Sequence, residues 1–400
     1  MEYLVRLNSM IYFLIMNTDR LRRHVKIVCT LGPASNTPEI IEKMILSGMD
    51  VARLNLSYGT LDEHRNTVAM VRAAARKIGL PTAVLLDCPG RKRRTGDTRT
   101  VFGDHLRFAQ DNQIDYIALS FITSTEQVEE VQALAGEMKI NIPIISKIEK
   151  GEALAVSDSI IAISDGVMVA RGDLGLQINI EKVPLAQKKI IHEANHRGKP
   201  VITATEMLES MVKSPTPTRA EATDVANAVL DGTDAVMLSE ETSIGQYPLE
   251  AIQMMVKIIL EAETVLPHDN VYHEPHGDFL SAVDDATARA ACDIACQIDA
   301  KAIVALTAGG TTALRVAKHR PAQPILAVTL SEIIMRRLNL VWGTYPLVKA
   351  SPNSLEEWEG VARATTVEAG LAKTGDVIVV TAGLPLGIPG STNMVRVLKV

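Results

Sequence analysis

The chain has 400 residues, 47% hydrophobic and 22% charged, the balance of a globular protein with about two or three domains. Its formal net charge of -6 gives nucleic-acid binding no electrostatic support, so an anionic ligand needs a local basic cluster or a metal. The apolar residues 1–16 are too short to span a membrane and lack a cleavage site. Residues 1–23 are expected to be an N-terminal extension. Its first sixteen residues are expected to be loose, and the alternatives are an upstream start codon with Met16 as the true start, or a weak anchor. The four cysteines form no CxxC pair, which favours free thiols and a cytoplasmic location.

Short apolar runs alternate with longer amphipathic stretches from Val25 to about Leu266. About eight such strand–helix repeats over roughly 240 residues predict a TIM (β/α)8 barrel over residues 24–266. The competing interpretation is a doubly wound open sheet. Helices such as Glu39–Ser47 and Thr125–Met138 follow most of the runs. The runs themselves, each expected to be a buried parallel strand, are Lys26–Leu31, Val51–Leu56, Thr82–Leu86, Tyr116–Phe121, Ile142–Ile148, Val167–Ala170, Pro200–Ala204 and Asp234–Leu238.

Polar and glycine residues cluster directly after these apolar runs. A barrel gathers the carboxyl ends of its strands at one mouth, where the active site lies, so this pattern favours the barrel over the open sheet. The residues in question are Asn55, Ser57, Asp87, Lys147, Glu149, Gly172, Asp173, Thr205 and Ser239.

A second domain is expected beyond the barrel. Residues 267–278 hold two prolines, three histidines and a glycine without periodicity, which predicts a linker. Alternating helix and strand patterns follow, ending in a pair of strands at Val377–Thr381 and Val395–Val400, which predicts a smaller C-terminal α/β domain over residues 279–400. One of its loops can cradle a phosphate or be an ordinary capped glycine turn; the residues that would do either are Thr307, Gly309, Gly310, Thr311 and Thr312.

The most informative chemistry lies at the end of one apolar strand, where Lys147 and Glu149 would be costly to bury without a purpose. Glu149 and Asp173 are two carboxylates that can hold Mg²⁺, which prefers one or two carboxylates plus substrate oxygens. Lys147 can then neutralise a phosphoryl group in transfer, while backbone N–H groups around Gly172 bind a carboxylate. The alternative is a surface ion pair followed by a turn.

Several long motifs resemble the pyruvate kinase family, and the resemblance covers nearly all of the chain from Lys26 to Val400. Besides ISKIEK and MVARGDLG, the motifs that carry it are Cys29–Ser35, Val51–Gly59, Thr203–Met211, Thr218–Glu241 and Gly375–Gly383. The resemblance implies transfer of a phosphoryl group from phosphoenolpyruvate to ADP in glycolysis, giving pyruvate and ATP, by a homotetramer without membrane or nucleic-acid partners. It also implies that the loop beginning at Thr307 binds a sugar-phosphate effector.

The resemblance further implies a role for each matching residue. Arg53 and Arg94 reach the phosphoryl group, and Lys147 stabilises it in transit. Glu149 and Asp173 bind Mg²⁺ or Mn²⁺. Thr205 takes part in protonating the enolate. The pyruvate moiety is held by Asp173, Thr205 and the backbone of Ala170, Arg171 and Gly172. The nucleotide side comprises Thr30, Pro33, Asn55 and Arg94. The family's monovalent-cation site is matched by Asn55, Ser57, Asp87 and the carbonyl of Cys88.

The chain departs from the family at a few points. The family inserts a lid domain after the arginine matched by Arg94, whereas here a short loop near residues 95–104 takes its place, so the lid is expected to be absent. Lys92 stands where potassium-dependent members carry Glu, which predicts that K⁺ is not required, because the ammonium group substitutes for the ion. Tyr58 replaces a histidine on the nucleotide side, and Glu206 replaces glutamine.

Two other functions stay open from the sequence. The missing lid suits a weakly active or non-catalytic relative that binds phosphoenolpyruvate or a sugar phosphate in a regulatory role. Another phosphoenolpyruvate-using barrel enzyme is a third candidate, which is disfavoured because the family match continues through the C-terminal domain.

Overall fold

The computed structural model describes residues 20–90, 98–266, 279–349, 355–384 and 392–400. These described residues divide into two compact units, one within Val25–Thr264 and the other combining residues 20–24 with the described residues from Val265 onward. Among the described residues, no helix has both the length and the hydropathy that crossing a bilayer requires. The four cysteines are free thiols: three are buried, and Cys296 is exposed.

The first unit is a closed barrel of eight parallel strands in sequential order, which confirms the barrel and excludes the open sheet. Nearly every strand residue is buried, as expected where helices cover the outside and side chains fill the inside. The strands are β1 (Lys26–Thr30), β2 (Val51–Asn55), β3 (Ala83–Cys88), β4 (Tyr116–Leu119), β5 (Ile144–Ile148), β6 (Gly166–Ala170), β7 (Val201–Ala204) and β8 (Ala235–Leu238).

Local signals in the sequence start several of the barrel helices. Thr37 caps the first helix by accepting the N–H of Ile40. Thr60 with Glu63, and Thr218 with Glu221, form reciprocal capping boxes. The helices are α1 (Pro38–Ser47), α2 (Leu61–Ile78), α3 (Thr98–Asp111), α4 (Thr125–Glu137), α5 (Gly151–Ala155), α6 (Ser157–Ile163), α7 (Arg171–Gly175), α8 (Val183–His196), α9 (Arg219–Leu230), α10 (Glu240–Ser243) and α11 (Pro248–Glu263).

Four aspartates, which we call the amino-end aspartates, tie the barrel together at the end opposite its mouth. Each directly precedes an even-numbered strand and accepts a backbone N–H from the strand before it. The pairs are Asp50 with Ile27 at 2.8 Å, Asp115 with Val84 at 2.8 Å, Asp165 with Ile144 at 2.8 Å and Asp234 with Val201 at 3.1 Å.

The second unit holds a five-stranded mixed sheet in the order β11-β10-β9-β12-β13, in which β12 and β13 are antiparallel. The predicted smaller α/β domain is therefore present. Its elements are α12 (Phe279–Gln297), β9 (Ile303–Leu306), α13 (Thr311–Lys318), β10 (Ile325–Thr329), α14 (Glu332–Leu338), β11 (Thr344–Val348), α15 (Leu355–Glu368), β12 (Val377–Gly383) and β13 (Thr392–Lys399).

The segment just before β1 packs within this second unit. The hydroxyl of Tyr345 donates to the carbonyls of Leu21 and Arg23 at 3.0 and 2.8 Å, and the rings of His24 and Trp342 stack 4.4 Å apart. Residues 20–24 therefore pack with the second unit. The linker predicted at 267–278 lies outside the described residues.

The lid domain that the pyruvate kinase family inserts after the residue matched by Arg94 has no room between β3 and α3 of this chain. Only nine residues, 89–97, separate Cys88 from Thr98, and nine residues cannot form a domain. In the described part of the chain, the barrel and the smaller domain are therefore the only domains.

Candidate active site at the barrel mouth

Neighbouring strands bring the predicted residues together at the carboxyl end of the barrel. Thr30 of β1 is in register with Arg53 of β2, and Asn55 of β2 with Asp87 of β3. Lys147 lies on β5, one residue before its end. Because the strands are parallel and closed into a ring, these side chains share one rim of the barrel.

Asp87 is the centre of this rim, because two cations contact its buried carboxylate. Arg53 reaches Asp87 with Nη2 at 2.6 Å, and Lys147 reaches it with Nζ at 3.3 Å. Burial by itself would raise the pKa of Asp87, but the charges of Arg53 and then Lys147 hold it below its ordinary value. Asp87 therefore stays ionised and fixes both cations in place.

Ser120 belongs to the same network, although the sequence interpretation missed it. Its hydroxyl accepts from Lys147 Nζ at 2.8 Å and donates to Asp87 Oδ1 at 3.0 Å. It directly follows β4, so the rule that selected polar residues at strand ends would have found it too. It was overlooked because the apolar run was extended through Phe121.

Glu149 is buried beside Lys147, and one of its oxygens lacks a hydrogen bond. Oε1 accepts the backbone N–H of Phe121, whereas Oε2 has no hydrogen-bond partner and only an ion pair with Lys147 at 3.2 Å. Burial raises the pKa of Glu149 above its ordinary 4.5, against the opposing charge of Lys147, and Asp173 raises it further.

The pair of Glu149 and Asp173 fits a divalent cation. Asp173 is exposed at the start of α7 and close enough to act on the charge of Glu149. A cation would relieve this repulsion and contact the Glu149 oxygen that lacks a hydrogen bond. No cluster of three or more histidine, cysteine or acidic side chains that could hold a metal occurs in the described part of the chain. Two protein carboxylates suit a hard divalent cation that takes its remaining ligands from substrate oxygens. They are too few for a site built from protein ligands alone.

On the far side of the mouth, the ends of β6 and β7 meet. The hydroxyl of Thr205 accepts the N–H of Gly172 at 2.7 Å and donates to the carbonyl of Ala204 at 2.6 Å. Both Thr205 and Glu206 have left-handed backbone angles, with φ of 69° and 54°. The predicted neighbours Gly172 and Thr205 are thus in direct contact, and the Thr205 turn carries backbone strain.

The residues matched to the monovalent-cation and nucleotide sites make mostly internal bonds. Asn55 Oδ1 accepts the N–H of Ser57 at 3.0 Å, and the Cys88 carbonyl accepts the N–H of Ser120 at 3.3 Å. Thr30 Oγ1 accepts from Arg53 Nη1 at 2.8 Å, and Pro33 is exposed on the loop after β1.

Two predicted residues, Lys92 and Arg94, lie outside the described residues.

In the second unit, the Thr307 hydroxyl accepts the N–H of Gly310, whose φ is 94°, at 2.9 Å. The hydroxyls of Thr312 and Thr392 lie 3.0 Å apart. Gly309 and Thr311 are at least partly exposed, so the loop combines a capped turn with accessible backbone.

Comparison with known proteins gives matches along most of the chain. The family model of the pyruvate kinase barrel domain matches residues 22–104 and 102–252, and the model of the pyruvate kinase alpha/beta domain matches residues 285–398. The barrel match comes in two pieces that meet within α3, just after the short connection from β3.

Named relatives give the same result. The pyruvate kinase of Geobacillus stearothermophilus is 36% identical, and the match covers 94% of this chain and 80% of the relative. The pyruvate kinases of Sporosarcina psychrophila and Staphylococcus aureus are 35% identical with the same coverage. The first alignment spans 471 positions, more than the chain's own 400 residues, so the relative has stretches that this chain lacks. With both family models and these relatives matched, the chain belongs to the pyruvate kinase family.

Proposed function

We propose that this protein is an active pyruvate kinase that transfers the phosphoryl group of phosphoenolpyruvate to ADP, giving pyruvate and ATP. The observation that carries the proposal is the convergence of Arg53 and Lys147 on one buried carboxylate at the barrel mouth, beside the partly unsatisfied Glu149. Phosphoryl transfer needs mainly positioning and charge neutralisation, and a pair of fixed cations supplies both.

Arg53 and Lys147 bind the phosphoryl oxygens in this proposal. Asp87 and Ser120 hold Lys147 before the substrate arrives, so no reorganisation of the cation is needed during transfer. Arg94 is assigned to the same group from the sequence alone. Glu149 and Asp173 would hold Mg²⁺ or Mn²⁺, which supplies charge neutralisation between the substrate oxygens when it is bound.

The pyruvate moiety is assigned to the β6–β7 side. The backbone of Ala170, Arg171 and Gly172, with Asp173 nearby, would bind its carboxylate at the start of α7. We assign to Thr205 the transfer of a proton to the enolate; its hydroxyl accepts the N–H of Gly172 and donates to the carbonyl of Ala204, which supports the assignment.

The nucleotide is assigned to the opposite side of the mouth, along Thr30, Pro33 and Asn55, with Arg94. Without a lid, contacts to ADP come from the barrel alone, so we expect ADP to bind more weakly than to relatives that have the lid. Binding of a phosphoenolpyruvate analogue is expected to be near normal because its contacts lie in the barrel.

The test is a coupled assay that measures pyruvate formed from phosphoenolpyruvate. We expect turnover that requires both ADP and Mg²⁺. Binding of a phosphoenolpyruvate analogue without any pyruvate formation would instead support the regulatory alternative.

Potassium independence is part of the proposal and rests on Lys92 in the sequence. An ammonium group near the phosphates replaces the bound monovalent cation, leaving Asn55, Ser57 and Asp87 as a hydrogen-bonding scaffold. Activity in tetramethylammonium buffer should be unchanged by added K⁺, and Lys92→Glu should create activation by K⁺. A large, saturable K⁺ activation of the unaltered protein would contradict this.

The remaining assignments follow the family. We propose a cytoplasmic homotetramer that binds a sugar-phosphate effector at the loop beginning at Thr307. Light scattering should give the mass of four chains. The effector assignment predicts that a sugar bisphosphate shifts the substrate dependence of the enzyme and that Thr312→Glu removes this shift.

A further inference from the structure

Arg171 directly follows β6, yet its side chain contacts the end of the neighbouring strand β7. The residue is only 8% exposed, and its three guanidinium nitrogens share five N–H groups among six nearby acceptors. The acceptors are the carbonyl of Ala204 at 3.3 Å, Gln187 Oε1 at 3.3 Å, Asp224 Oδ1 at 2.8 Å, the carbonyl of Thr205 at 2.7 Å, the carbonyl of Glu206 at 3.4 Å and the sulfur of Met207 at 2.7 Å.

Three of these acceptors are consecutive backbone carbonyls, and two belong to the strained residues Thr205 and Glu206. Left-handed backbone at a non-glycine residue costs about 1–3 kcal/mol and persists only where surrounding contacts enforce it. The guanidinium contacts the carbonyls on both sides of this turn and so enforces it.

Asp224 on α9 supplies the charge that keeps the guanidinium in place, with Oδ2 at 2.6 Å from Nη1. Gln187 on α8 adds a further contact and is itself bonded to Asp231 at 2.9 Å. The arginine is thereby anchored to two helices while its other nitrogens hold the turn.

We propose that Arg171 is a positioning residue that, anchored by Asp224, sets the angle of the Thr205 hydroxyl for proton transfer to the enolate carbon. This inference rests on the proposed role of Thr205 and extends it to a residue whose side chain touches no reacting atom. A planar fork of donors is required, because the ammonium group of lysine cannot reach three carbonyls and a carboxylate at once.

The test separates proton transfer from phosphoryl transfer. NMR follows the exchange of pyruvate methyl protons with deuterium from D₂O, with Mg²⁺ present, and a coupled assay follows pyruvate formation. Arg171→Lys should lower the exchange rate and kcat about 100-fold, the cost of misplacing a reacting group by about 1 Å, with the KM for ADP unchanged. Asp224→Asn should lower both rates about tenfold, because it weakens a charge-assisted bond.

The matched control is Arg197→Lys, which alters an arginine whose partner Glu193 lies on the same helix. It should leave exchange and kcat unchanged. The double variant Arg171→Lys/Asp224→Asn should have the same exchange rate and kcat as Arg171→Lys alone, since both substitutions disrupt the same contact between Arg171 and Asp224.

The outcomes are distinguishable. A wild-type protein that forms no pyruvate refutes the proposed function before any variant is made. An active wild type whose Arg171→Lys and Asp224→Asn variants keep normal exchange overturns the positioning role alone, as does a rise in the KM for ADP with exchange unchanged. If Arg171→Lys does not fold, Asp224→Asn decides by the same readouts.

Discussion

The two ends of the barrel bury carboxylates in different ways. At the end opposite the mouth, each amino-end aspartate accepts a backbone N–H from the adjacent strand, and Asp115 also pairs with the guanidinium of Arg72 at 2.7 Å. At the mouth, Asp87 is surrounded by the side-chain cations Arg53 and Lys147, and Glu149 keeps an oxygen without a hydrogen bond.

This difference separates a structural from a functional use of the same chemical group. A carboxylate that accepts from the backbone of the neighbouring strand, at the end away from the mouth, mainly stabilises the fold. The mouth carries charge that the protein only partly compensates, and a phosphoryl group with a metal ion would complete the compensation. Substitutions at the two ends should therefore affect different measurable properties.

Replacement of Lys147 by methionine should have the largest effect. Removing this cation should lower kcat by at least about 1000-fold, because the transition-state charge loses a preorganised partner. Folding should persist, since Asp87 keeps its contacts with Arg53 and Ser120. The measurements are the coupled assay and the thermal unfolding midpoint.

The control for this variant is Lys189→Met, which removes a surface lysine paired with Asp158 at 3.1 Å. It should leave kcat unaltered. Normal turnover in Lys147→Met would refute the assigned mechanism and with it the distinction between the two ends.

Asp50→Ala should show the opposite behaviour. The buried N–H of Ile27 loses its acceptor, which should lower the free energy of unfolding by about 2 kcal/mol. At temperatures where the variant is folded, kcat and KM should be unchanged. Asp50→Asn, whose amide oxygen can still accept, should recover most of the stability, and urea unfolding measures all three proteins. A kinetic defect in folded Asp50→Ala would show that the end of the barrel opposite the mouth also serves catalysis.

Glu149→Gln should produce the smallest change in stability, and one of opposite sign. The raised pKa of Glu149 means that the folded protein favours its neutral form, so its contribution to stability is present at low pH and is lost as pH rises from 4.5 through the raised value. At neutral pH the metal-free glutamine variant should therefore unfold at a slightly higher temperature than the wild type.

The same variant should lose Mn²⁺ binding in calorimetry, whereas the wild-type protein should lose it only as pH falls through the raised pKa of Glu149. Asp158→Asn, on the surface, is the matched control and should bind Mn²⁺ normally. A lower unfolding temperature for metal-free Glu149→Gln would mean that the pair of Lys147 and Glu149 stabilises the fold.

Much of the architecture could be read from the sequence because its signals are local. Buried parallel strands are continuous apolar runs, and Thr60 with Glu63 marks a helix start within four residues. The elements between β10 and β12 were not predicted individually, because α14 is short and β11 contains a proline. Some predicted strand ends also differ from the observed ones. The run predicted to end at Phe121 forms a strand, β4, that ends at Leu119.

The sequence by itself determined the order of elements, the barrel and the identity of the charged residues at the strand ends, because each is encoded in a few adjacent residues. Only the tertiary structure decided which of those residues meet. Asp87 pairs with Lys147 across 60 positions, and Arg171 holds the turn at Thr205 across 34. These partners meet because the eight parallel strands close into a ring. The local sequence around a charged residue does not specify which distant residue the closed ring places beside it.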